Sequence, residues 1–212
     1  MQQFDLNLSS GVEQIELPVD DEHRKEGAIV KFQSDYLGPQ QAIDFYNKLY
    51  KQVDWQKETL WIFGEERLVP RLVAWYGDPE AEYRYSGKLH KPLPWIRPLQ
   101  DIKEQLEQTL GCCFNSVLCN LYRDGSDSMG WHADDERELG SNPVIASVSL
   151  GAKRAFHLKH KKNPKLRHKM SLTSGSLLVM QGATQKFWLH QVPKEPKITE
   201  ARINLTFRKV IL

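Results

Sequence analysis

The stretch Arg202-Ile203-Asn204-Leu205-Thr206-Phe207-Arg208 alternates polar and apolar residues without a break. Successive side chains of an extended strand point to opposite faces, so Arg202, Asn204, Thr206 and Arg208 share one face and Ile203, Leu205 and Phe207 the other. The apolar face has to pack against a layer of the core.

Outward from this strand, residues 114–122, 143–150, 155–159 and 176–180 are further short β-type runs separated by loops of mixed length, and the last strand extends over 203–210. Successive strands with no helix between them predict a jelly-roll or a related double-layered barrel. Two helices precede them. After Gly38-Pro39, Ile43, Tyr46, Leu49, Tyr50 and Val53 recur at helical spacing; after Pro98, Leu99, Ile102, Leu106 and Leu110 do the same, with Gly111 as the stop. Between the helices, aromatic and β-branched residues cluster from Leu60 to Tyr85 around turn signals at Gly64, Gly77-Asp78 and Ser86-Gly87, a β-rich lid ahead of the core. The first thirty residues show scattered charge and little periodicity, which predicts a loosely attached arm. The expected organisation is therefore an N-terminal arm over 1–30 and one domain over 31–212, an all-β core with flanking helices (α+β). Its lid covers about 55–95 and its jelly-roll core about 112–212.

A chain of 212 residues can bury one sizeable core, and a 40% hydrophobic, 26% charged composition excludes the disordered and fibrous classes. MQQFDLNLSS has neither a basic start nor an apolar stretch, and no later run reaches bilayer length. The expectation is a monomer with no membrane attachment, not secreted, cytoplasmic in a bacterium or nuclear in a eukaryote. Cys112 and Cys113 are neighbours, too constrained for an ordinary bridge, so these and Cys119 read as reduced thiols. The net charge of +2 announces no polyanionic partner, yet no acidic residue occurs between Glu138 and Glu195, and residues 152–169 are strongly basic. Such a run is more often a solvated hairpin than a binding site; beside a pocket for a base it suits phosphate contacts.

The densest chemical signal is Trp131-His132-Ala133-Asp134, because residues two apart in an extended segment face the same way and can grip one ion. His190, in the apolar segment Phe187-Trp188-Leu189-His190, offers a third ligand. Two histidines and one carboxylate form the facial triad of non-haem iron(II), which leaves positions open for other ligands. Alone, an H-x-D pair is equally an exposed loop, and zinc accepts the same donors. The C-terminal strand decides between these: two arginines on one inward face repel and lose hydration unless an anion lies between them. A dicarboxylate such as 2-oxoglutarate meets that need, since guanidinium binds carboxylate bidentately. Asn120 and Tyr122, alternating around Leu121, can add neutral hydrogen bonds.

Taken in order, N-L-Y-R-D-G from Asn120, W-H-A-D-D-E-R-E-L from Trp131, L-H-Q-V-P from Leu189 and R-I-N-L-T-F-R from Arg202 resemble the AlkB family of nucleic-acid dealkylating dioxygenases, over roughly Leu60 to the C terminus. The resemblance implies a double-stranded β-helix (jelly-roll) core, with iron(II) held by His132, Asp134 and His190, and 2-oxoglutarate held among Asn120, Tyr122, Arg202, Asn204, Thr206 and Arg208. It implies oxidative dealkylation of bases such as 1-methyladenine and 3-methylcytosine in duplex or single-stranded DNA, or RNA, with succinate, carbon dioxide and formaldehyde as products. The competing readings are a related oxygenase acting on RNA or protein, and a metal-stabilised nucleic-acid-binding module without catalysis. Ile62-Phe63-Gly64, Tyr83-Arg84-Tyr85-Ser86-Gly87 and the run from Asp134 to Leu139 look most like the duplex-DNA-acting animal branch, although Tyr85 stands where that branch has phenylalanine. By the same resemblance Phe63 wedges into the base stack and Tyr83, Tyr85 and the His132 ring flank the flipped base. Asp135 would favour a cationic lesion, and Arg154 is assigned to the substrate side.

Overall fold

Residues 11–62, 65–85 and 88–211 are described by the computed structural model. The N-terminal half contains β1 (Val12–Leu17), β2 (Ala28–Gln33), α1 (Pro39–Gln52), β3 (Gln56–Ile62), β4 (Glu65–Gly77), β5 (Tyr83–Tyr85), β6 (Lys88–His90) and α2 (Arg97–Leu110). The C-terminal half contains β7 (Ser116–Tyr122), β8 (Met129–His132), β9 (Ile145–Gly151), β10 (Arg154–His160), β11 (Arg167–Leu172), β12 (Leu177–Gly182), the single turn α3 (Thr184–Phe187), β13 (Trp188–Val192) and β14 (Arg202–Arg208). Eight strands make one sheet in the order β1-β2-β12-β9-β14-β7-β4-β3, four make a second in the order β11-β10-β13-β8, and β5 pairs with β6. Two antiparallel sheets in this arrangement are the expected jelly-roll.

Both faces of the central strand β14 are buried, which explains why its two sets of side chains differ so sharply. Ile203, Leu205 and Phe207 join Leu49, Leu99 and Ile102 in the core between the large sheet and the helices. Full burial of a side chain such as Phe207 stabilises by roughly 2–3 kcal/mol. A second core fills the space between the sheets, with Tyr122, Phe156, Leu158, Met180 and Trp188 among its members. The polar face of β14 looks into this inter-sheet space, where the apolar filling is interrupted by a cavity.

Both helices form where the punctuation places them. Pro39 opens α1, its fixed φ suiting a first turn, and Gly111 closes α2 at φ 63°, a left-handed conformation that glycine adopts without strain. The buried face of α1 differs from the expected stripe: Ala42, Phe45 and Leu49 point inward, whereas Ile43 is 53% and Tyr50 49% exposed. Helical periodicity alone leaves open which of two adjacent apolar stripes meets the core.

The N-terminal arm is corrected as well. From residue 12 onward β1 and β2 extend the large sheet, β2 pairing along β12 from Leu177↔Gln33 to Gly182↔Ala28, and Leu17, Ala28 and Val30 are buried between the sheets. Local patterning hides this because the partner strand lies nearly 150 residues further along the chain. The lid is likewise continuous with the core. β4 pairs with β7 from Leu72↔Leu121 to Gly77↔Ser116, while its first half pairs with β3 alone and overhangs the sheet. Phe63 lies outside the described residues; Tyr83 and Tyr85 form β5, and their side chains lie outside the described set. The basic run folds as the antiparallel hairpin β10–β11. All three cysteines are free, and no helix among the described residues is long and apolar enough to cross a membrane.

Candidate active site

His132 ends β8 and His190 lies directly opposite it on β13, so strand register alone brings the two rings to a centroid distance of 4.1 Å. Asp134 follows in the loop after β8 with Oδ1 3.8 Å from His132 Nε2. One donor atom from each of the three lies within 4.8 Å of the others, close enough to hold one metal ion. The surroundings orient each donor. His132 Nδ1 is 2.9 Å from the Gly130 carbonyl oxygen, which marks Nδ1 as the protonated nitrogen and leaves Nε2 free to ligate. Arg208 Nη2 is 2.9 Å from Asp134 Oδ2, leaving Oδ1 to face the imidazoles, and the Asp134 backbone N–H donates to Gln185 Oε1 at 2.9 Å.

The electrostatics favour the deprotonated forms that a metal requires. Burial pushes the Asp134 carboxyl up, but Arg208 and the two histidines outweigh it and hold the group down at about 2. Burial, reinforced by the neighbouring His132, lowers His190 to about 3, so its imidazole is neutral. A carboxylate and the neutral His190 imidazole thus meet before any metal arrives.

A cavity of about 540 Å³ opens from this triad and reaches Asn120, Tyr122, Asn204 and Thr206. Asn204 donates from Nδ2 to Ser147 Oγ at 2.7 Å and accepts from Thr206 Oγ1 at 3.1 Å, which fixes both polar side chains. Arg202, 1% exposed, donates from Nη2 to Ser149 Oγ at 2.9 Å and lies 5.2 Å over the Tyr122 ring. Burial draws its guanidinium down to about 10, still charged at neutral pH. Its Nε and Nη1 are buried without a hydrogen-bond partner. Two orphaned donors on one buried guanidinium call for an anionic acceptor such as a carboxylate.

The profile of the 2OG-Fe(II) oxygenase superfamily matches residues 30–208. The chain is 40% identical to DNA oxidative demethylase ALKBH2 of Homo sapiens over 186 residues, 83% of this chain and 71% of that protein. The chain belongs to the AlkB family of 2OG-Fe(II) oxygenases. It is also 49% identical to alpha-ketoglutarate-dependent dioxygenase alkB homolog 3 of Rattus norvegicus over 150 residues, 66% of this chain, and spans about half (50%) of that protein's length. A solved structure, that of OsALKBH1, superposes with a TM-score of 0.59 at 21% identity over 85% of this chain and 96% of that one, a likeness of fold.

The cofactors of this AlkB-family chain are Fe(II) and 2-oxoglutarate, and the residues present fit both: a facial N,N,O donor set, and a buried arginine with two donors that meet no hydrogen-bond acceptor. One element of the sequence argument is corrected. The charge of Arg208 is met by Asp134, a protein carboxylate, whereas Arg202 keeps two buried donors, Nε and Nη1, without a hydrogen-bond partner. Arg154 is corrected too. It is 1% exposed, donates to Glu195 Oε2 and to the carbonyls of Asp124, Asp127 and Pro193, and lies against Tyr122, so it is not available to a substrate. Replacing it with methionine strands those acceptors and should cost about 3 kcal/mol, read by urea denaturation; undiminished stability would show that the network holds nothing.

Sequence reasoning missed three residues that the fold brings to the site. Glu136 lines the cavity with Oε2 buried and without a partner, and its position two residues beyond Asp134 was the available signal. Gln185, on α3, and Arg71, on β4, lie in segments that carry no motif. Asp135 is exposed, does not line the cavity, and pairs with Lys161 at 2.7 Å.

Proposed function

We propose that this chain oxidatively dealkylates N-alkylated bases of nucleic acid, DNA bases such as 1-methyladenine and 3-methylcytosine above all. The observation that carries the reading is the cavity joining the His132, Asp134 and His190 donors to an unpartnered buried carboxylate oxygen of Glu136. A base methylated on a ring nitrogen is cationic, and a carboxylate beside the reacting carbon favours it over the neutral base. Relatives named as a DNA oxidative demethylase and an alkB homolog support the same class.

In this reading His132 Nε2, Asp134 Oδ1 and His190 hold Fe(II), and Arg202 and Asn120 hold 2-oxoglutarate, with Tyr122, Asn204, Thr206 and Arg208 shaping its site. The bound metal and co-substrate supply, with O2, the oxidant that hydroxylates a substrate C–H bond, leaving succinate and carbon dioxide. The chain's own part is placement and exclusion of water. Arg208 keeps Asp134 ionised and turned toward the imidazoles, and the wall of Phe156, Met180 and Val192 keeps the cavity apolar beside them. Once hydroxylated, the N-methyl carbon leaves as formaldehyde. The exposed Lys162, Lys165, Arg167 and Lys169 of the β10–β11 hairpin suit phosphate contacts, with the substrate base taken out of its stack. We place the protein as a monomer, in the cytoplasm of a bacterium or the nucleus of a eukaryote.

Mass spectrometry of methylated single- and double-stranded oligonucleotides, DNA and RNA, after incubation with Fe(II), 2-oxoglutarate and O2 tests the proposal. Loss of the methyl mass with matching succinate and formaldehyde is expected; succinate formed without loss of methyl would move the substrate elsewhere. Two substitutions probe the carboxylates. Glu136→Gln should slow repair of cationic lesions about tenfold more than repair of neutral alkylated bases, the size of one charge-assisted contact. Asp135→Ala should show the same selectivity more weakly, because Lys161 already neutralises Asp135. Equal loss on both lesion classes would make either residue structural.

A further inference from the structure

Asn120 lines the cavity from β7, and its side-chain amide can meet a ligand in either of two ways, with the carbonyl oxygen or with the NH2 group. For an anionic ligand the choice decides attraction or repulsion. Arg71 Nε lies 2.6 Å from Asn120 Oδ1, and both residues are 5% exposed. A guanidinium only donates, so the amide atom it meets is the oxygen, and Nδ2 occupies the other arm of the planar amide, turned away from Arg71. Among the described residues no acceptor takes the Nδ2 protons, whereas the second amide of the cavity, Asn204, commits its Nδ2 to Ser147.

We infer that Arg71 is a positioning residue for 2-oxoglutarate: it locks the Asn120 amide so that Nδ2 donates to the co-substrate. The inference rests on the reading that Asn120 contacts that molecule. Register explains the reach. Val73 pairs with Asn120 across the β4–β7 ladder, and Arg71, two residues earlier on the same face, is its diagonal neighbour. Leu72 is the first β4 residue paired with β7, and the Ser128 N–H donates to the Pro70 carbonyl at 3.0 Å, so the Arg71 backbone is held on both sides where the hairpin leaves the sheet. A residue of the overhanging hairpin thereby sets the donor pattern of the co-substrate site.

The test is a double-mutant cycle read by calorimetric titration of 2-oxoglutarate into Mn(II)-loaded protein under anaerobic conditions, so that binding is measured without turnover. Arg71→Met and Asn120→Ala should each weaken 2-oxoglutarate binding about tenfold, and the double variant should bind no more weakly than Asn120→Ala, with Mn(II) affinity unchanged throughout. Arg71→Lys, which keeps a donor and the charge, should fall between the parent and Arg71→Met, and it serves in the same cycle where the methionine variant fails to fold. Additive losses would show that Arg71 contacts the ligand directly, and an Arg71→Met protein with parental affinity would show that it orients nothing; either overturns the inference while leaving Asn120 in place. Unaltered affinity in Asn120→Ala would instead overturn the reading of Asn120 itself, and the inference with it.

Discussion

Replacing Asp134 with alanine should abolish succinate production, and His132→Ala and His190→Ala should do the same. Three protein donors are the minimum that holds the metal while leaving positions open for co-substrate and O2, so losing one removes a third of the attachment. Loss of residues that merely orient ligands costs ~10- to 100-fold in metal affinity; loss of a ligand should exceed that. Asp134 has a second consequence that the histidines lack. Its Oδ2 is the partner of Arg208, so alanine removes the ligand and leaves a largely buried guanidinium without that carboxylate. Asp134→Ala should therefore lower the melting temperature as well as the metal affinity, whereas His132→Ala should lower chiefly the metal affinity. Mn(II) titration beside thermal denaturation separates the two effects. Near-normal succinate production by any of the three variants would mean that the metal is held elsewhere.

Arg202→Ala should raise the 2-oxoglutarate requirement by about 10- to 100-fold, the equivalent of ~1.5–3 kcal/mol for hydrogen bonds to a charged group. The argument rests on what the arginine does without a ligand. It is fully buried, one terminal nitrogen is committed to Ser149, and Nε and Nη1 meet no acceptor, an arrangement that a bound carboxylate would complete. Arg202→Lys restores charge without the planar edge and should recover only part of the loss. The kinetic signature is a raised KM for 2-oxoglutarate at constant metal affinity. An unchanged KM would place the co-substrate elsewhere in the cavity. Arg208 behaves differently under substitution, because its partner is the ligand Asp134 and its loss should appear first in the metal.

Much of this was legible along the chain because it depends on local geometry. Alternation in 202–208 set one face for ligands and one for the core, and the structure places Ile203, Leu205 and Phe207 under the helices, with Asn204 and Thr206 at the cavity. His132 and Asp134 stand two residues apart on one strand and its following loop, so their joint position needs no tertiary information. Pro39, Pro98 and Gly111 bounded the helices because their backbone preferences act within one turn.

The rest was decided by which distant segments lie side by side. β2 became a sheet strand because β12 runs beside it, and α1 turned Phe45 rather than Ile43 inward because the large sheet meets it there. Arg208 found Asp134, Arg154 found Glu195 and three carbonyls, and Arg71 found Asn120 across 49 residues of sequence. The amino-acid sequence by itself determined strands β7, β9, β10, β12 and β14, the metal-binding residue types and the family. The tertiary structure alone decided the partner of each buried charge, because a charge taken out of water is stabilised by whatever the fold sets within about 3 Å of it, and that distance is set by strand register and loop closure.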